Sequence, residues 1–167
     1  MNFAISGLNH FAWRCRNAEE TRHFYEDILG LPLVHVIRND YVPSTGEYSP
    51  HVHIFFRMGD NSYVAFFDLG DGGATVPDAD TPAWVNHLAL EVPTMDQLLA
   101  AKARLEDHGI SVLGPTDHHI LQSIYFFDPN GLRVELTTRT AGPDEMARAA
   151  TEAHGRLRAW TARGEIG

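Results

Sequence analysis

The chain has 167 residues, 44% hydrophobic and 21% charged, which marks a folded globular protein with enough length for one sizeable core. Its formal net charge of −9, from 13 basic and 22 acidic residues, leaves no basic face for a phosphate backbone, so nucleic acid is not expected as a partner. No apolar run approaches the roughly 18 residues that span a bilayer, and Met1-Asn2-Phe3-Ala4 lacks the basic start of a secretory signal; a cytoplasmic protein without a membrane partner is expected.

Residues 8–15 alternate as a half-buried strand, and Cys15, the single cysteine, reads as a buried structural thiol on it. Asn17 followed by Glu20 forms a capping box, and the predicted helix runs through Phe24, Tyr25, Ile28 and Leu29 to a stop at Gly30. Leu33 to Ile37 is a strand, and after a loop holding Pro43, Gly46 and Pro50, residues 51–58 and 63–69 form two more around the turn Gly59-Asp60-Asn61-Ser62. A Gly/Pro/Asp-rich linker follows, and then the pattern starts again. A strand at His87 to Val92 leads to a second capping box, Thr94 with Gln97, and a helix whose apolar face is Leu98 to Leu105 and whose stop is Gly109. Strands at residues 110–113, 119–127 and 132–137 complete this unit, the last two around Asp128-Pro129-Asn130-Gly131. Pro143 opens a final helix with Met146, Ala150, Leu157 and Trp160 on one face, suited to packing on the sheet or on a second subunit.

The expected fold is α+β: two tandem βαβββ modules forming a cupped mixed sheet, plus a C-terminal helix. Within a single domain, module one covers 5–70, the linker 71–84, module two 85–138 and the helix 143–163.

The dipeptide Asn-His stands near the start of both modules, as Leu8-Asn9-His10-Phe11-Ala12 and Val85-Asn86-His87-Leu88-Ala89. A histidine repeated at equivalent strand positions suggests one metal held between two halves, whereas His23, His108 and His154 lie on helical or exposed stretches. Glu135 stands in Arg133-Val134-Glu135-Leu136-Thr137, where a strand alternating toward a core would not choose a carboxylate unless a cation neutralises it. His10, His87 and Glu135 together make two imidazoles and one carboxylate, the facial set that leaves coordination positions open in non-haem Fe(II) oxygenases. Matching Val64-Ala65-Phe66 to Val134-Glu135-Leu136 makes Ala65 the counterpart of Glu135, so module one offers no second carboxylate.

Four stretches carry a family resemblance: Gly7-Leu8-Asn9-His10, Phe24-Tyr25-Glu26-Asp27-Ile28-Leu29-Gly30-Leu31-Pro32, Asn86-His87-Leu88-Ala89, and Ser123 to Gly131 together with Glu135. Over roughly residues 5 to 138 the chain resembles the vicinal oxygen chelate superfamily of glyoxalases, bleomycin-resistance proteins, fosfomycin-modifying transferases, epimerases and type I extradiol dioxygenases. The resemblance implies a metal site at His10, His87 and Glu135. Isomerases of this superfamily use four protein ligands, which Ala65 disfavours; extradiol dioxygenases use two histidines and a glutamate, and Tyr125 resembles the tyrosine that hydrogen-bonds their bound catecholate. Fosfomycin transferases share the triad. The acid/base histidine usual in ring-cleaving members is absent from the Ala65-Phe66-Phe67 region; His53 has the strand parity to replace it, with His51 and His118 as lesser substitutes. Phe55, Phe67 and Trp13 would give an apolar lining.

The expected function is that of an extradiol-type ring-cleaving dioxygenase acting on a small aromatic or apolar, catechol-like substrate with O2, with Tyr125 and His53 as catalytic groups. Fe(II) is the expected metal, with Mn(II), Zn(II) and Ni(II) as alternatives, in a homodimer. The alternatives are a thiol transferase of the fosfomycin-resistance type, a glyoxalase-like lyase or isomerase, and a small-molecule-binding resistance protein.

Overall fold

A computed structural model describes residues 7–73 and 81–163; half of the predicted linker, residues 74–80, lies outside the described residues. The first module comprises β1 (His10–Cys15), α1 (Ala18–Arg22) with a π-helical turn (His23–Ile28), β2 (Leu33–Tyr41), β3 (Tyr48–Arg57) and β4 (Tyr63–Asp68). The second comprises β5 (Leu88–Glu91), α2 (Met95–Asp107), β6 (Leu113–Asp117), β7 (Leu121–Phe127) and β8 (Arg133–Arg139), and α3 (Pro143–Arg163) follows. Each module builds its own four-stranded sheet, in the order β1-β4-β3-β2 and β5-β8-β7-β6. Within each, the first strand runs parallel to the last and the remaining pairs are antiparallel. The duplication is thus one of topology as well as of sequence, in two sheets and not one continuous sheet.

Period-2 alternation decides what each sheet buries. Cys15, Ile54, Phe56, Val64 and Phe66 of the first sheet join Leu90, Ile124, Phe126, Val134 and Leu136 of the second in one shared core, with Phe24, Tyr25, Ile28, Leu98 and Leu105 from the helical segments. The opposite faces carry His10 and Glu135, since His10 precedes the core-packed Phe11 and Glu135 lies between Val134 and Leu136.

The modules are joined by a polar latch around Asp128. Its Oδ1 accepts the amides of Asn130 and Leu132, both at 2.8 Å, and its Oδ2 accepts the Tyr25 hydroxyl at 3.1 Å. Asn130 then reaches module one, its Oδ1 accepting the Arg16 amide at 3.0 Å and its Nδ2 donating to Thr21 at 3.1 Å. From α2, Arg104 donates to the carbonyls of Ile28 and Asp27, which end the π turn. Burial pushes the Asp128 carboxyl and the Tyr25 hydroxyl above their ordinary pKa values.

Several boundaries differ from the sequence reading. The first helix changes to π geometry at His23, where Leu29 N bonds to Phe24 O; the wider turn places Phe24, Tyr25 and Ile28 all in the core. Asn17 caps the helix through the Glu20 amide, yet the Glu20 side chain pairs with Arg16 and does not close the box. The strand expected at 110–113 starts only at Leu113, because Ile110 closes the cap of α2 through the Leu105 carbonyl, while Ile110 and Val112 pack on the core as coil. Strand β7 starts at Leu121 and not at 119, because His119 is left-handed (φ 69°) and its amide is taken by the Asp117 carboxylate.

Asp128→Ala strips the buried Tyr25 hydroxyl and two buried amides of their acceptor and is expected to cost about 2–4 kcal/mol in urea unfolding. The raised pKa of Asp128 means that its own contribution is full at acid pH and declines as pH rises through the carboxylate range; Asp128→Asn should remove that slope from the stability profile.

Candidate metal centre

His87 immediately precedes β5, and Glu135 sits in mid-β8, level with Ala89 by the β5–β8 register. Glu135 is only 5% exposed. Its Oε1 accepts the Ser123 hydroxyl at 2.5 Å, and its Oε2 lies 3.0 Å from His87 Nε2. The other ring nitrogen of His87, Nδ1, lies 2.9 Å from the Val85 carbonyl. A carbonyl can only accept, so Nδ1 carries a proton. His87 Nε2 therefore presents a lone pair to a carboxylate, unless a second proton intervenes. Two acceptors at 3.0 Å need a cation between or beside them, and a divalent metal bound to an imidazole and a carboxylate supplies it. The donor set fits a metal.

His10 is prepared in the same way. Its Nδ1 lies 2.7 Å from Asn9 Oδ1, which leaves Nε2 free. Its ring packs beside His53 and Phe55, with centroids 6.0 and 5.8 Å away. Of the three expected ligands, the structure brings His87 and Glu135 together and places His10 on the other sheet. Among the described residues, no three His, Cys, Asp or Glu side chains of one chain converge as metal ligands would. The physical reason is the strand pairing: β1 is bonded to β4 and β5 to β8, no ladder joins β1 to β5, and the latch ties the modules through helices and turns.

Ala65 is fully buried and pairs with Phe55, as Glu135 pairs with Tyr125. One step along β3, His53 pairs with Phe67, as Ser123 pairs with Thr137 in module two. The hydroxyl that holds the carboxylate in one module is thus replaced by an imidazole in the other, where the carboxylate itself is a methyl. His53 stacks on Phe67 at 3.6 Å, and among the described residues its enclosed Nε2 has no hydrogen-bond partner. Burial, then the neighbouring His10, His51 and His35, lowers its pKa to about 4. His53 is accordingly a neutral proton acceptor at ordinary pH. His51 is anchored to the Ser49 carbonyl at 2.6 Å.

Tyr125 is half-buried on the Glu135 face, its ring edge against His87 with centroids 6.2 Å apart. Its hydroxyl lies 2.7 Å from His118 Nε2, and burial raises its pKa, so it stays protonated. His118 itself lies in the turn between β6 and β7, outside any strand alternation. Cys15 is fully buried, and burial pushes its thiol up to about 11, which removes it as a nucleophile.

These paired modules with a His/Glu half-site on one sheet and a histidine on the other belong to a known group. Residues 7–136 match the model of the Glyoxalase/Bleomycin resistance protein/Dioxygenase superfamily, and the chain belongs to that family. It is 29% identical over 131 residues to biphenyl-2,3-diol 1,2-dioxygenase 3 of Rhodococcus globerulus, covering 77% of this chain and 61% of that protein. It is 27% identical over 143 residues to the lactoylglutathione lyase of Neisseria meningitidis serogroup A, covering 84% of this chain and 96% of the lyase. The fold is shared with the fosfomycin resistance protein FosX from Listeria monocytogenes, solved with Mn(II) (TM-score 0.60, 17% identity, 86% of this chain and 99% of that one). Members of the superfamily thus bind divalent metals and run several chemistries on this scaffold. No described helix is long and apolar enough to cross a membrane.

Glu135→Gln removes the anionic ligand while keeping an acceptor for Ser123. It should leave the unfolding midpoint within about 1 kcal/mol of wild type and lower bound metal at least about tenfold by elemental analysis after gel filtration.

Proposed function

We propose that the protein is a metal-dependent extradiol-type dioxygenase that opens a catechol-like ring with O2. The observation that carries the reading is the candidate ligand set: His10, His87 and Glu135 without a second carboxylate as fourth ligand, because Ala65 stands at the matching position, paired with Phe55. Three protein ligands leave room for two substrate oxygens and O2 on one face of a metal. Fe(II) bound there would supply the redox chemistry and the common attachment point for both substrates, with Mn(II), Zn(II) and Ni(II) as the competing ions. The chain's own groups do the rest. Tyr125, protonated and held by His118, donates to a substrate oxygen. His53, neutral with a bare ring nitrogen, receives a proton released when the diol binds. Phe55 and Phe67 flank His53 and keep that side dry. The similarity to a biphenyl-diol dioxygenase supports the reading; the chain spans 61% of that relative's length.

The test is O2 uptake by anaerobically iron-loaded protein over a panel of catechols, followed by the yellow ring-opened product. Uptake with product is expected, and Tyr125→Phe should lower kcat about 10–100-fold with metal content unchanged. Thiol transfer or thiol-hemiacetal isomerisation without O2 uptake would replace this reading with a transferase or a lyase, and saturable ligand binding without turnover would replace it with a binding protein.

We further propose that His10 reaches the site from a second copy of the chain, with His87 and Glu135 from the first. Among the described residues no contact joins the three within one chain, and His10 stands exposed on the first sheet, open to a second copy. His10→Ala and Glu135→Gln, each inactive alone, should recover about a quarter of wild-type activity when co-refolded, because half the dimers then hold one intact site. No recovery would mean that one chain closes on the metal by itself.

A further inference from the structure

Beside the His87–Glu135 pair, the second sheet bears a cavity of about 510 Å³ whose lining includes Trp84, Leu113, Tyr125, Phe127 and Arg133. Trp84, Leu113 and Phe127 are 69%, 63% and 52% exposed, an unusual concentration of large apolar surface for a strand face. The ladders place four of these residues on the Glu135 face: Leu113 pairs with Tyr125, Tyr125 with Glu135, and Phe127 with Arg133.

Arg133 is the one cation in this lining. Its guanidinium lies 4.3 Å above the Tyr125 ring and, among the described residues, forms no ion pair. Arg57, Arg104, Arg148 and Arg158 likewise form no ion pair among the described residues, so what sets Arg133 apart is its seat over the Tyr125 ring in an otherwise apolar lining. The nearest acid along its own strand, Glu135, is committed to Ser123 and His87. A half-buried guanidinium seated over an aromatic ring and in no ion pair has N–H donors to offer, and its forked edge matches a carboxylate in two parallel hydrogen bonds. A single cation in an apolar cavity balances one negative charge. A phosphate dianion would be left half neutralised, and a neutral ring would leave the guanidinium desolvated without compensation.

We infer that Arg133 selects a substrate bearing a carboxylate: an aromatic acid whose ring lies against Trp84, Leu113 and Phe127 and whose carboxylate pairs with the guanidinium. The inference rests on the dioxygenase reading for the diol but not for the acid. Arg133 is a specificity-determining residue in this account, and the cavity is the place where the non-reacting part of the substrate is held.

Quenching of Trp84 fluorescence, assigned with Trp84→Phe, reads binding without turnover. The probes are monohydroxybenzoate, which cannot undergo diol cleavage, and its methyl ester. The acid is expected to bind wild type about tenfold tighter than the ester, and Arg133→Gln should bring the two within about twofold while leaving ester affinity unchanged. For activity, vicinal dihydroxybenzoate should show a KM about tenfold below that of its ester, a gap that Arg133→Gln closes by raising the KM of the acid. Equal binding of acid and ester by wild type, or an acid preference that survives Arg133→Gln, overturns the inference. So does dissociation of a dimer on replacing Leu113 and Phe127 by Ser with the acid preference intact, since the apolar surface would then be covered by a second copy. Acid-selective binding without O2 uptake on any catechol leaves the subsite standing and removes the dioxygenase reading. O2 uptake indifferent to the carboxylate does the reverse.

Discussion

Everything downstream of the fold depends on how one buried carboxylate is satisfied. Asp128 is 5% exposed in a turn between two core strands, and it is tolerated there because two amides, the Asn130 side chain and the Tyr25 hydroxyl all donate to it. Tyr25 belongs to the other module and is itself fully buried against Phe56 and Phe66. The polar requirement of one module is therefore met inside the apolar core of the other. The matching position of the first module is Met58, which packs on the core, and the carboxylate of that turn, Asp60, meets its needs locally, from the amide and hydroxyl of Ser62. Duplication supplied two such turns, and only one of them became the joint.

Once the joint uses helices and turns, the sheets keep their outer faces for chemistry. On those faces the repeat is instructive where it is broken. Glu135 answers to Ala65, Ser123 to His53, and Tyr125 to Phe55. One face has become the side that holds charge, with a carboxylate, a hydroxyl that steadies it and a phenol. The other has become an aromatic and imidazole surface with a single free ligand, His10. A symmetric pair of modules would give a symmetric ligand set. The substitutions at these three pairs of positions give the two sheets outer faces of different chemistry.

Much of this was legible in the chain. The doubled Asn-His, the capping signals at Asn17 and Thr94 and the Asn-Gly turn after Asp128 each rest on local chemistry, and local chemistry survives folding. Misreadings fell where tertiary demand overrides local preference. Ile110 and Val112 have the composition of a strand, but the helix cap and the core claim them first. His119 carries a backbone conformation that alternation cannot reveal. The placement of His10 away from His87 was unreadable because it depends on which strands pair between modules, a contact at long range with no signature in either segment. His118, a lesser substitute by sequence, takes its meaning from the Tyr125 hydroxyl it meets.

The two histidines are oriented by different kinds of acceptor. The Nδ1 of His87 is held by a main-chain carbonyl, Val85 O, and that of His10 by a side chain, Asn9 Oδ1. No substitution at position 85 short of moving the backbone can take that carbonyl away, so the basicity and aim of His87 are protected from single-residue drift. Position 9 has no such protection: one codon change there would free the imidazole to turn or to exchange its tautomer. The scaffold thus holds one ligand fixed and leaves the other adjustable. Asn9 is therefore the position, outside the candidate ligands, where a single substitution would most directly change how His10 is presented.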